Sequence, residues 1–173
     1  MIKKDVESGQ KIGREVLFSY AGLPSEWSKA SESCLEVSEL RLRTIKQKLK
    51  VLPDYPVCLY VEGEVGVLVN LWLEDAKISD FLGVNFIDYM SNVFEQDSLV
   101  PKKYTILYNV GLERALKSDF SSRVLKGLIQ DTVNQGCHVI IQGVLNITDF
   151  KRNYGITDVN SVRLMKKPQE KLI

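Results

Sequence analysis

The chain has 173 residues, 45% hydrophobic and 26% charged, with 23 Lys+Arg against 22 Asp+Glu and a formal net charge of +1. That length suits one domain whose core needs neither disulfide nor metal. The composition argues against disorder, and the near-balance of charge leaves attraction to nucleic acid or membrane to local patches alone.

The cysteines Cys34, Cys58 and Cys137 are scattered, and His138 is the single histidine. No zinc-ligand spacing or Cys–His pair follows from them, so neither a metal site nor His-dependent hydrolysis is expected. Free thiols suit a reducing cytoplasm. The longest apolar run, Val65 to Leu73, is broken by Asn70 and is too short to span a bilayer. The first residues, MIKKDVESGQ, lack the apolar stretch of a signal peptide.

In chain order, residues 1–30 read as an arm with a turn at Gly22-Leu23-Pro24-Ser25, and residues 31–173 as one α/β domain. Residues 36–50 predict an amphipathic helix with Leu42, Ile45 and Leu49 on one face. Pro56 to Glu62 predicts a buried strand, which enters the turn Gly63-Glu64-Val65-Gly66. Val67 to Lys77 predicts a helix that is apolar almost all round. Residues 78–100 fit either a strand over 82–87 or a helix over 86–94.

Tyr104 to Tyr108 predicts a strand. Ser118 is a candidate cap for a helix carrying Phe120, Val124, Leu125, Leu128, Ile129 and Val133, and Gly136 suits its left-handed end. Cys137 to Gln142 predicts another strand, with His138 in a structural role. Strand–helix–strand units of this length imply a mostly parallel sheet between layers of helices.

The glycine turn invites comparison with the phosphate-binding loop G-x-x-x-x-G-K-S/T. Gly63 supplies the first glycine and Gly66 a further one, but Leu68, Val69 and Asn70 stand where the second glycine, the lysine and the hydroxyl belong. A leucine puts a Cβ into the cradle and a valine supplies no cation. Taken alone, the two glycines fit an ordinary strand-to-helix turn.

The order of segments over residues 20–165 resembles the AAA+ ATPase core of the bacterial DnaC-type helicase loaders and the IstB-type transposition helpers. Ala21-Gly-Leu-Pro-Ser-Glu-Trp27 is similar to the segment preceding that core, and Leu59-Tyr-Val-Glu-Gly-Glu-Val-Gly66 to its first strand and loop. Ile106-Leu-Tyr-Asn-Val-Gly-Leu-Glu-Arg114 resembles the Walker B segment, Val139 to Leu145 the sensor strand, and Asn160-Ser-Val-Arg163-Leu a late segment with an arginine that acts on a neighbouring subunit's nucleotide.

The resemblance implies a three-layer P-loop-NTPase-like (AAA+-like) α/β fold with a mostly parallel sheet flanked by helices, here without a separate helical lid domain. It assigns the vestigial cofactor-binding positions to Gly63, Gly66, Asn70 and Asn109. The two Walker B acids fall on Tyr108 and Asn109, and the sensor asparagine on Val144. Loss of the lysine, the metal-binding acids and the sensor removes most of what a protein contributes to phosphoryl transfer. Binding of ATP or Mg²⁺ is therefore not expected, and no catalytic residue is assigned.

Arg163 is either the subunit-interface arginine or one of a basic tail with Lys166, Lys167 and Lys171. Arg41, Arg43, Lys46, Lys48 and Lys50 are candidate nucleic-acid contacts, for weak DNA binding, or else a solvated face; Asp5, Glu7 and Glu15 could pair with them. The implied function is a non-hydrolysing accessory protein of DNA replication, an adaptor or regulator that touches a replicative helicase or its loader. Two alternatives stay open at this point: an active loader-type ATPase with an atypical site, and an unrelated α/β interaction module.

Overall fold

The computed structural model describes residues 13–93, 99–113 and 119–167. Helical residues 13–20 (α1) lead into two short 3-10 turns, Ser25–Lys29 and Glu32–Cys34, and then α2 (Glu39–Leu49). The rest alternates: β1 (Cys58–Gly63), α3 (Val65–Trp72), β2 (Phe81–Asn85), α4 (Phe86–Ser91), β3 (Tyr104–Val110), α5 (Phe120–Asn134), β4 (His138–Gly143), α6 (Ile147–Tyr154) and β5 (Asn160–Leu164).

Each element has a local cause. Ser38 starts α2 by accepting the Arg41 N–H at 3.2 Å. Asn146 starts α6 by accepting the Asp149 N–H at 2.8 Å, and Gly155 ends it at φ 64°. Val139, Ile140 and Ile141 of β4 are fully buried, because a central parallel strand is covered on both faces.

The five strands form one all-parallel sheet in the order β2-β3-β4-β1-β5. Side chains alternate across it. Leu59, Val61, Ile106, Ile140 and Leu164 pack with α3, the half-buried face of α2, and Phe18 and Leu23 of the N-terminal segment. Tyr60, Leu107, Val139 and Ile141 pack with α4, α5 and α6 on the opposite face. The result is the three-layer α/β architecture that the sequence predicts. On the first face Trp72 stacks on Tyr104 and donates its indole N–H to the Leu49 carbonyl at 2.7 Å, tying α3 to the end of α2.

Several boundaries differ from expectation. The helix after β1 begins at Val65 and ends at Trp72, not Val67 and Lys77. Both readings of residues 78–100 hold in part: Asn85 ends the strand and caps the helix, accepting the Ile87 N–H at 3.0 Å. Ser118 lies outside the described residues; α5 follows Asp119, which makes no side-chain cap. Gly136 has the expected positive φ, 79°. His138 is buried, and its Nδ1 accepts the Val57 N–H at 3.1 Å. Burial, then the Lys103 charge, lowers its pKa.

Candidate functional site

In an open parallel sheet, ligands collect at the carboxyl ends of the strands, where connections leave in opposite directions. Here that point lies beside β1, which leads to β2 by way of α3 on one face. The neighbouring β4 leads to β5 by way of α6 on the other.

The turn after β1 is a single residue, Glu64. Its N–H donates to the Leu164 carbonyl at 2.8 Å. Gly63 has φ 111°, and any Cβ there would run into that same carbonyl. Only glycine combines this conformation with this approach. Gly63 is thus fixed by packing of β1 on β5. Leu68 and Val69, which occupy the loop's glycine and lysine positions, are interior residues of α3 and buried. Residues 63–70 form a strand end and two helical turns.

The space over the start of α3 is taken by the N-terminal segment. A Cβ on Gly66 would lie 3.0–3.1 Å from Trp27 and Ala30, so the missing side chain lets this segment approach. Asn70 holds it there. Its amide nitrogen donates to the carbonyls of Trp27 (2.8 Å), Ala30 (3.2 Å) and Gly66 (3.0 Å), while its oxygen accepts from the Arg14 guanidinium. Trp27 meets Tyr108 of β3 edge-on, with ring centroids 5.2 Å apart. The Tyr108 hydroxyl donates to the Gly22 carbonyl at 3.1 Å, and burial raises its pKa, with Asp88 and Glu26 adding to the shift. Gly22 and Gly83 bring two backbones into direct contact, and the Gly83 N–H donates to the Ala21 carbonyl at 2.6 Å.

The end of β3 is irregular. Its register with β4 shifts between Leu107 and Val110, and Asn109 there has φ 62°. The Asn109 N–H donates to the Gln142 side chain at 2.9 Å, so β4 supports the bulge. Just beyond, the buried Glu113 carboxylate accepts the Gly111 N–H at 2.7 Å and the Tyr154 hydroxyl. Burial and that carboxylate raise the Tyr154 pKa, keeping the phenol protonated as donor. Val144, at the sensor position, is half exposed.

Of the remaining sequence candidates, Arg163 comes beside the end of β1, opposite Glu62 in the ladder. Arg163 lies on β5 and pairs with Glu62 at 3.6 Å. The five cations of α2 divide. Lys46 pairs with Glu32 (2.8 Å) and Lys50 with Glu74 (3.4 Å), whereas Arg41 and Lys48 line a groove together with Arg163. Arg43 is exposed and makes no ion pair among the described residues. Glu15, expected as a partner for this helix, pairs instead with Lys29 at 3.0 Å; Asp5 and Glu7 lie outside the described residues. Two of the three thiols are shifted away from the reactive thiolate. Burial pushes Cys58 up to about 12, aided by Asp158, and burial raises Cys137. Among the described residues, no cluster of three His, Cys, Asp or Glu could hold a metal ion, and no helix is long and apolar enough to cross a membrane.

Sequence reasoning reached Gly63, Gly66, Asn70 and Asn109. It missed Arg14, Gln142, Glu113 and Tyr154 as members of the same neighbourhood. Glu113 stood in the Walker B-like segment without an assigned role, and its partner Tyr154 is 41 residues away.

No family model matches the chain, and no curated protein matches it. Among solved structures it is similar to a protein from Streptococcus pyogenes serotype M3 described as a "putative primosome component". The match has a TM-score of 0.55 at 11% identity and covers 84% of this chain and 92% of that one. At that identity what is shared is the fold, a five-stranded parallel sheet between layers of helices.

Proposed function

We propose that this chain is a non-hydrolysing, AAA+-like accessory protein of DNA replication that works through protein contacts, as an adaptor or regulator of a replicative helicase or its loader. The replication setting rests on the shared fold and on the order of segments that resembles the loader core. The non-hydrolysing part rests on one observation. Asn70 spends its side chain on Arg14, Trp27, Ala30 and Gly66, and so pins the chain's own segment over the strand-to-helix turn. A phosphate cradle needs open backbone N–H groups and a cation at that turn. Here the residues concerned are helical, apolar and buried. With Tyr108 and Asn109 in place of the two acids, the end of β3 offers Mg²⁺ no carboxylate at those positions.

The test mixes the purified chain with the replicative helicase and the helicase loader of its own cell in nucleotide-free buffer. Co-sedimentation with one of them is expected, with no phosphate released from ATP by the chain alone. Co-sedimentation with neither, or ATP turnover by the chain that Asn70→Ala abolishes, contradicts the proposal.

A further inference from the structure

The outer edge of β5 (Asn160–Leu164) is paired by nothing among the described residues, and the geometry points to it as a docking site for an extended acidic peptide segment of a partner protein, added to the sheet as a further strand.

Within a strand, the N–H and C=O of one residue point to the same edge, and successive residues alternate. The Leu164 carbonyl faces inward, accepting the Glu64 N–H at 2.8 Å, so Asn160, Val162 and Leu164 turn toward β1. Ser161 and Arg163 turn outward. Just past them the same edge is already paired, through a single isolated bridge. The Met165 carbonyl accepts the Glu36 N–H, and the Lys167 N–H donates to the Cys34 carbonyl, both at 2.8 Å, around an antiparallel bridge of Leu35 with Lys166. The chain then leaves the edge at Ser38 to form α2. The pairing that residues 34–36 begin is therefore left unfinished along Arg163 and Ser161.

A groove of about 830 Å³ runs along this open stretch, between α2 on one side and the first turn of α6 on the other. Ile45, Leu52 and Val57 give it aliphatic walls. Arg41 and Lys48 stand on the α2 side and Arg163 on the far side, so cations reach the groove from both faces of the sheet. The one acid in the lining, Glu62, is already paired with Arg163. An added strand presents side chains alternately to the two faces. Acidic residues on it would meet Arg41 and Lys48 or Arg163, and apolar ones Ile45 and Leu52. Main-chain bonds supply affinity in this mode and the side-chain pockets supply choice. The strand-spaced backbone groups of Ser161 and Arg163, with Ile45, Leu52 and Val57 beside them, suit a peptide main chain; Tyr55 is an exposed aromatic of the lining, so an oligonucleotide is the competitor that the test includes. The site rests on the proposed protein-contact role and gives that role a surface. Its test reads peptide binding and not nucleotide, so the two fail separately.

The experiment titrates the full chain with a fluorescein-labelled synthetic peptide alternating valine and glutamate, read by anisotropy, with hydrogen exchange on the complex. Saturable binding is expected, with slowed exchange at the Ser161 and Arg163 amides. The same peptide with lysine in place of glutamate should bind at least about tenfold more weakly. Ser161→Pro removes an outward donor without touching the ladder to β1, and edge strands tolerate proline; it should cost about tenfold or more in affinity. Should that variant not fold, the exposed double change Arg41→Glu with Lys48→Glu carries the test with the same expected loss. No saturable binding, equal binding of the lysine peptide, or protection elsewhere than Ser161 and Arg163 overturns the inference. So does displacement by an oligonucleotide, or concentration-dependent protection of these amides without peptide, which marks self-pairing.

Discussion

Asn70 and Gly63 are near neighbours in sequence with different tasks, and substitution separates them. Asn70→Ala removes three donated hydrogen bonds and the acceptor for Arg14. The Ala30 carbonyl loses its donor, while the Trp27 carbonyl keeps the Ala30 N–H, so a loss of about 1–3 kcal/mol is expected. Protease cleavage should rise within residues 21–30 before the rest of the chain is touched. Gly63→Ala meets backbone, not a movable side chain, and adds left-handed strain. Its cost should exceed that of Gly66→Ala, where Trp27 can shift by tenths of an ångström. Comparing denaturation midpoints of the two alanine variants checks the order, and a more stable Gly63→Ala contradicts it. The spacing of these residues was legible in the sequence because glycines after an apolar strand announce a turn. Their partners were not, since Asn70 reaches Trp27 across 43 positions and nothing local encodes that bond.

At the scale of elements, β4 shows how local pattern and long-range contact divide the work. Its apolar run and the βαβ spacing are enough by themselves to declare a buried parallel strand. What the run does not declare is that His138, at its start, braces the entry to β1. His138 Nδ1 must be unprotonated to accept the Val57 N–H. Its folded pKa is lowered, so between that value and about 6.5 the unfolded chain binds more protons and stability rises with pH. As pH falls below about 6.5, the Tm should therefore drop, by roughly 2–4 °C per kcal/mol of lost stability. His138→Asn, which offers an acceptor that does not titrate, should flatten that part of the profile. An unchanged profile would show that the bond carries no stability. The ends of α3 escaped the sequence pattern for a related reason. Apolar residues from Val65 onward satisfy a helix pattern over more than one register, and only packing against Trp27 and the sheet fixes where the helix starts.

For the whole molecule, strand order is the feature that sequence leaves open. Placing β1 between β4 and β5 depends on contacts more than a hundred residues apart in one direction, Leu59 with Asn160. The same geometry joins the N-terminal segment to the body. Phe18 and Leu23 belong to the same buried cluster as Val61, Ile106 and Leu164. Segment and sheet should therefore unfold together. The two tryptophans report on both, Trp27 in the segment and Trp72 in α3. Their fluorescence and the far-ultraviolet circular dichroism should share one midpoint in urea. An early fluorescence transition that leaves the helix signal intact would show the segment to be an independent cover.

The N-terminal segment packs against the start of α3, and the proposed function requires that it leave no room for a nucleotide. Calorimetric titration of the full chain with Mg-ATP, with Trp27 fluorescence followed in parallel, measures directly whether one binds. No saturable heat and no change in emission are expected, for the wild-type chain and for Asn70→Ala alike. Micromolar binding that Gly63→Ala or Asn70→Ala abolishes would contradict a closed turn and make the end of β1 a working phosphate site.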